Sequence, residues 1–247
     1  MKRALLAAVL GAALAAPAAA FAALPASVVA NPARAADVKN DARRKGPELA
    51  AFAEVKPGQR VYDLIPGGGY FTRLFSLAVG PSGKVYAVWP DEYDKVSKPD
   101  SDVMRKMAAA APFTNVRVLT QPARAFAAPE PLDLVFTSQN YHDYPDKFMG
   151  KVDPVVLDRQ VYKVLKPGGL YIVLDHSAAA GSGLRDTNTL HRIDAATVKA
   201  EVTAAGFKFA GESKVLANPA DDRTKKVFDP AIRGHTDQFI YKFRKPG

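Results

Sequence analysis

No cysteine occurs anywhere in the 247 residues. Its absence excludes disulfides, thiolate metal ligands, a cysteine nucleophile and the lipidated cysteine of a lipoprotein, so stability has to come from packing. Tryptophan is down to a single residue, Trp89, and histidine to four; imidazole chemistry therefore has few places to sit. Beyond the N-terminal run no stretch is apolar enough to span a bilayer. There is also no basic tract interleaved with aromatics of the kind that nucleic-acid grooves use. Lys and Arg are scattered among Asp and Glu and read as a solvated surface, so nucleic acid is not an expected partner.

What the chain does have, at its start, is "MKRALLAAVLGAALAAPAAAFAAL". A basic beginning at Lys2 and Arg3, an alanine-rich apolar run and small residues suited to a signal peptidase make a secretory signal. Pro17 interrupts the run, which speaks against a retained anchor, and no stable membrane insertion is expected after cleavage. Cleavage is expected after Ala22, in "AFA", or after Ala35, in "ARA"; the second is favoured because charged, globular sequence begins near Asp37. Losing residues 1–35 removes Lys2, Arg3 and Arg34 and no acid, so the formal net charge falls from +9 to +6. The expected product is a periplasmic or secreted protein with a single domain over residues 36–247.

Along that domain, strand-like and helix-like periods alternate. "RRKGPELAAFAEV" reads as a helix, "RVYDL" as a strand, and Phe71, Leu74, Phe75 and Ala78 as the apolar face of the helix after it. "KVYAVW" from Lys84, "VRVL" from Val116 and "LDLVFT" from Leu132 are further strands, with a helix at 101–110 between the first two. "VVLDRQVYKVL" is a helix broken by "KPGG" before the strand "LYIVLD". Asp194 is placed to N-cap "AATVKAEVTAAGF", with Gly206 as its stop. Two last strands, "KFAGESKVL" and "DQFIYKF", lie either side of a polar loop at 217–236. The pattern predicts an α/β fold with a mostly parallel sheet, ending in an antiparallel hairpin.

The stretch "VYDLIPGGGYFTRLFS" ends a strand at Asp63 and enters a helix through Gly67, Gly68 and Gly69. Glycine permits positive φ and close backbone approach, and the helix N-terminus offers free N–H groups to a ligand. Together with "KVYAVW", "LDLVFT" and "LKPGG" before "LYIVLD", this order resembles the class I S-adenosylmethionine-dependent methyltransferases across nearly all of the domain. More narrowly, "RKGPELAAFAEVKPG", "VGPSGKVYAV", "DHSAAAGSGLRDTNTLHRID" and "NPADDRTKKVFDPAIRG" resemble a bacterial group of predicted methyltransferases with signal peptides. The resemblance implies a Rossmann-like, seven-stranded sheet and S-adenosylmethionine as cofactor. It would be held by Asp63, Gly67, Gly68, Gly69 and Tyr70, with Asp91 reaching the ribose. The sequence departs from the pattern at Ile65, where the family has its first glycine, at Pro66, and at Trp89–Pro90, where an acid usually stands.

Ligands of open α/β sheets bind beyond the carboxyl ends of the strands. Those ends carry Asn140, Tyr141, His142 and Asp143 after "LDLVFT", and Asp175, His176, Arg185, His191 and Asp194 after "LYIVL". His142 or His176 is a candidate general base, oriented by Asp143 or Asp175. Asn140 and Tyr141 are candidates to contact the acceptor, and Arg185 to clamp an anion or sit in a lid over "GSGLRDT". Two or three imidazoles with a carboxylate would also suit zinc or iron, but no H-E-x-x-H motif or i, i+4 histidine pair occurs, and no metal ligands are assigned. The expected function is an exported methyltransferase acting on a small molecule. Two alternatives stay open: the same fold using its His/Asp cluster for metal-assisted or acid-base chemistry, and a non-catalytic exported small-ligand-binding protein.

Overall fold

The computed structural model describes residues 22–247; most of the expected signal, residues 1–21, lies outside them. Ahead of the sheet run four short helices, α1 (Ala26–Val29), α2 (Ala35–Val38), α3 (Asp41–Arg44) and α4 (Gly46–Phe52), with a 3₁₀ turn at Pro32–Arg34. Then come β1 (Arg60–Leu64), α5 (Tyr70–Val79), β2 (Lys84–Pro90), α6 (Asp91–Ala108), β3 (Val116–Gln121) and β4 (Leu132–Ser138). After β4 follow α7 (Pro154–Val164), β5 (Leu165–His176), α8 (Thr187–Leu190), α9 (Ala195–Ala204), β6 (Lys208–Ser213) and β7 (Gln238–Arg244). No helix among the described residues is long and apolar enough to cross a membrane.

The strands form one seven-stranded sheet in the order β3-β2-β1-β4-β5-β7-β6. Strands β1 to β5 are parallel to their neighbours, whereas β7 runs antiparallel to both β5 and β6. The fold class expected from the sequence is therefore observed, terminal hairpin included. Successive strands run outward through β2 and β3 and then restart on the other side of β1 at β4, so the order reverses between β1 and β4. In open α/β sheets that reversal opens a crevice at the strand carboxyl ends. The glycine turn after β1 and the segment after β4 face each other there.

Local sequence explains the element ends. Asp153 and Asp194 each accept an N–H from two residues on, Val155 at 2.9 Å and Ala196 at 3.0 Å, and so cap α7 and α9. Helix α6 begins at Asp91, ten residues before the expected start, because Pro90 leaves β2 in an extended conformation and Pro99 is absorbed at a kink, with Ser97 off the helical backbone. Strand β5 starts at Leu165, across from Leu132, so "KPGG" lies within it rather than before it. Phe71, Phe75 and Phe136 pack together beneath the sheet, with centroids 4.6 to 5.8 Å apart, and Trp89 is completely buried.

The N-terminal segment is packed onto this body. Leu24, Val28 and Ala33 touch the core. Arg34, with no exposed surface, donates to the Val29 carbonyl at 2.6 Å and to Asp41 at 2.7 Å. Asp37 holds Arg73 of α5 through two bonds of 2.6 Å. Residues ahead of 36, where the domain is expected to begin after cleavage at Ala35, thus pack against this body.

Candidate active site

Strand β1 delivers Asp63 to the carboxyl edge of the sheet, and the chain then turns through Ile65 at φ +52°. A β-branched residue in the left-handed region is strained, since Cβ crowds the following carbonyl. The conformation persists because both Ile65 backbone groups are engaged: its N–H donates to Val88 at 2.8 Å and its carbonyl accepts from Asn140 Nδ2 at 2.9 Å. The turn therefore keeps the backbone shape that a glycine would give. Gly67, at φ +52°, and Gly68 have open space where a Cβ would stand, and with Pro66 they line a cavity of about 330 Å³.

The remaining residues expected at this turn divide. Asp63 is buried and accepts from Thr72 Oγ1 at 2.5 Å; burial pushes its carboxyl up to about 6, against the Thr72 bond and the charges of Arg44 and Arg73. Gly69, at φ +80°, does not reach the cavity, because a Cβ there would run into Met104 Cε. Its role is to let α6 close on the helix start. Tyr70 turns the other way: its hydroxyl donates to Asp41 at 2.5 Å and accepts from the Gly46 N–H at 3.2 Å, so it anchors the N-terminal segment instead of facing a ligand. Asp91 opens α6 and lines no cavity at the site. Its neighbour Glu92 is engaged by the Ala123 N–H at 2.9 Å.

Across the crevice the carboxyl ends of β4 and β5 bring three histidines together. Asp175, completely buried, accepts from the His142 N–H at 2.9 Å, from His142 Nδ1–H at 2.8 Å and from the His176 N–H at 2.8 Å. His142 Nε2 then stands 3.3 Å from His191 Nδ1 and 3.4 Å from Asp143 Oδ1. Burial alone would lower His142, but the Asp175 charge and hydrogen bond, with Asp143 and Asp146, outweigh it and hold the imidazole up at about 9. Burial pushes Asp143 up to about 7, and pushes His191 and His176 down to about 4, where they are neutral. Asp143 receives no hydrogen bond on its carboxylate from any described residue; only the two imidazoles approach it, at 3.4 and 4.0 Å. The donor atoms of His142, Asp143 and His191 lie within 4.8 Å of one another, close enough to share a proton or a divalent ion.

Other expected residues serve the framework. Tyr141 is completely buried and lines no cavity at the site; its hydroxyl lies 2.9 Å from Asp158 and 3.1 Å from Glu201. Asn140 lines the cavity, but its amide nitrogen holds the Ile65 and Ser138 carbonyls and so fastens the glycine turn to β4. Arg185 is exposed and doubly bonded to Asp186 at 2.8 Å, so it clamps nothing at the site. His176 donates to or accepts from Thr236 at 2.8 Å and lines both this cavity and a second one of about 210 Å³ beside it.

Several lining residues escape a reading of the sequence. Arg44 lies 4.7 Å from the Tyr70 ring centre and 4.9 Å from that of Phe71, and Tyr93 contributes from α6. Val227 and Phe228 come from the 217–236 loop, Phe228 with its ring 4.9 Å from that of His191. That loop is fixed by Arg192, fully buried, which donates to Asp221 at 2.8 Å and to the Lys225 carbonyl at 2.9 Å. Nothing local in "DDRTKKVFDP" announces that its apolar pair roofs the site.

No family model matches the chain. It is 32% identical over 189 residues to the ubiquinone/menaquinone biosynthesis C-methyltransferase UbiE of Enterobacter sp., covering 75% of this chain and 70% of that protein. It is 28% identical over 177 residues to the Pasteurella multocida UbiE, covering 70% of this chain and spanning 61% of that relative's length. Among solved structures, a S-adenosylmethionine-dependent methyltransferase from Aquifex aeolicus superposes with a TM-score of 0.59 at 17% identity, over 83% of this chain and 92% of that one. The [4+2]-cyclase SpnF superposes with 0.61 at 18%, over 83% and 80%. The glycopeptide N-methyltransferase MtfA, in complex with sinefungin, gives 0.57 at 17%, over 84% and 87%. The structural likenesses are likenesses of fold, and they agree with the strand order; with the Enterobacter protein matched across three quarters of it, the chain belongs to the class I S-adenosylmethionine-dependent methyltransferases.

Proposed function

We propose that this protein is an exported methyltransferase that uses S-adenosylmethionine to methylate a small molecule. The cradle at Gly67 and Gly68, where a Cβ would occupy ligand space, fits the methionine half of that cofactor. The nucleoside half meets a departure, since Asp91 lines no cavity and Glu92 is already bonded; Tyr93 supplies an aromatic wall there instead. When bound, the cofactor supplies an electrophilic methyl group on sulfur.

The observation that carries the reading is the mounting of His142. Asp175 holds the imidazole at Nδ1 and at the residue's own backbone N–H, so Nε2 is fixed at the wall of the cavity that also contains the glycine turn. A base with a pKa near 9 is matched to a phenolic hydroxyl or an ammonium group, whose protons it takes as the methyl arrives. Alignment of acceptor and methyl supplies most of the remaining acceleration. The test is calorimetric titration of the exported protein with S-adenosylmethionine, followed by transfer of labelled methyl to a panel of small phenols and amines. Binding together with transfer that His142→Gln abolishes is the expected result; no binding at millimolar cofactor overturns the proposal.

A second reading rests on Asp143, whose buried carboxylate faces two imidazole nitrogens, at 3.4 and 4.0 Å. Two nitrogens and one oxygen, with Asp175 behind His142, suit a zinc-like divalent ion. The fold does not restrict chemistry to methyl transfer, as the [4+2]-cyclase among its structural neighbours illustrates. Elemental analysis of protein purified from the periplasm decides it: stoichiometric metal, lost together with activity on chelation, favours this reading, and its absence with full activity removes it.

A further inference from the structure

The second cavity, about 210 Å³, opens beside His176 on the β5 side of the crevice and is lined by Arg43, Arg44 and Arg233 with no Asp or Glu. This is unusual in a chain whose neighbouring arginines are matched: Arg34 to Asp41, Arg73 to Asp37, Arg192 to Asp221 and Arg223 to Asp237, at 2.6 to 2.8 Å. Among the described residues, Arg43, Arg44 and Arg233 have no carboxylate within 4.0 Å. Arg44 is half-buried, lies over the rings of Tyr70 and Phe71, and has no hydrogen bond on its guanidinium. Arg43 packs its stem against Gly234, which brings its charge to the base of the loop carrying Arg233. Arg43 repels Arg44, which Asp63 and Asp37 offset in part from beyond the cavity, and like charges gathered around one small cavity are offset further when an anion sits between them.

We propose that this cavity is an anion subsite for the methyl acceptor, which is a small molecule carrying a carboxylate or phosphate at one end and its reacting hydroxyl or amine at the other. The inference rests on the methyltransferase reading for the word acceptor; the anion site itself does not. The two ends of such a molecule are accommodated by adjoining cavities, since Arg44, His176 and Phe228 line both. With the anion among the arginines, the far end of the molecule lies toward His191 and His142. Val227 and Phe228 give the middle an apolar wall that suits an aromatic ring. Guanidinium pairs recognise planar carboxylates and phosphates bidentately, which gives a selection rule: neutral analogues of the same shape are rejected.

The experiment uses the exported chain and three probes, 4-hydroxybenzoate, its methyl ester and inorganic phosphate, by titration calorimetry, with S-adenosylmethionine titrated separately. The expected result is that 4-hydroxybenzoate binds at least about tenfold more tightly than the ester, and that phosphate competes with it. Arg43→Gln combined with Arg233→Gln, both at the rim and outside the core, should lower acid affinity by about tenfold or more and leave ester and cofactor binding alone. Equal affinity for acid and ester, no binding of any probe at millimolar concentration, or an arginine effect confined to S-adenosylmethionine would each overturn the subsite. Cofactor binding without acid binding refutes the subsite alone; acid binding without cofactor binding refutes the methyltransferase reading and leaves the subsite standing.

Discussion

Replacing Asp175 with Asn is the sharpest test of the histidine cluster. The carboxylate accepts from His142 N–H on one oxygen and from His142 Nδ1–H and His176 N–H on the other. An amide can keep the oxygen that takes two of these bonds only by turning its NH₂ toward the third donor, so at least one charge-assisted bond is lost, which costs about 1.5–3 kcal/mol. The charge matters as well. His142 rises from 6.5 to about 9 in the folded protein, a preference for imidazolium worth about 3 kcal/mol. A raised pKa stabilises below the unfolded value and ceases to as pH climbs through the folded one, so the Asn variant should be weakest relative to wild type below about pH 6.5 and recover part of the gap by about pH 9. In thermal melts at pH 6 a deficit of about 3 kcal/mol corresponds to a fall of roughly 6–12 °C for a domain of this size. Activity should fall by about 10²- to 10⁴-fold. The pH limb of the wild type should rise toward about 9, where His142 becomes neutral. In the variant it should move to lower pH, because burial then acts without its opposing charge. A variant that melts within about 2 °C of wild type at pH 6 and retains an unchanged pH profile would refute the assignment.

Gly67→Ala and Gly69→Ala should separate ligand space from packing. The first places a methyl in the open cradle and should weaken S-adenosylmethionine binding by about tenfold at a stability cost of about 1 kcal/mol, whereas the second collides with Met104 and should show mainly as about 1–3 kcal/mol lost in urea unfolding. Tyr70→Phe removes the bond to Asp41 and should cost about 1–2 kcal/mol in denaturant while leaving cofactor affinity within about twofold. Glu130, held down to about 2 chiefly by the Tyr86 hydroxyl and then by Arg60 and Lys84, stabilises above its ordinary 4.5 and loses that contribution as pH falls through about 2. Glu130→Gln should therefore cost about 1–2 kcal/mol in urea at pH 7 and less at pH 3.

The sheet was readable because its signals are local. "RVYDL", "LDLVFT" and "LYIVLD" are apolar runs carrying β-branched and aromatic residues, and the parallel pairing of β1 with β2 and β4 agrees with the mostly parallel sheet that alternating strands and helices imply. The Asp194 cap needed only neighbouring residues and appeared where expected, and Gly67 and Gly68 stand in the turn after β1 with open space beside them. His142 and Asp175 were legible as candidates because strand carboxyl ends are where ligands bind, and their bond is one of the pairings the sequence offered; which histidine takes which carboxylate was not legible, since the bond joins residues 33 apart. Tyr70 misled for a related reason. Its place beside the glycines suggests a ligand contact, yet Asp41 and Gly46, far upstream, decide which way the ring turns. Arg44, Arg233 and Phe228 gave no local signal at all; only the tertiary fold puts three scattered segments around one cavity.

Arg34 also bears on how the polypeptide is processed. A peptidase cutting after Ala35 would discard a guanidinium that the finished domain seals inside itself, leaving Asp41 without its cation and Tyr70 without a neighbour at 5.8 Å. Cutting after Ala22 keeps it. On the proposal that the chain is exported, the buried arginine acts as a ruler for the leader: release upstream of it keeps the residue that the fold encloses. N-terminal sequencing of the exported protein should read Ala23-Leu24-Pro25, and a mature chain starting at Ala36 would show that the domain assembles without this arginine.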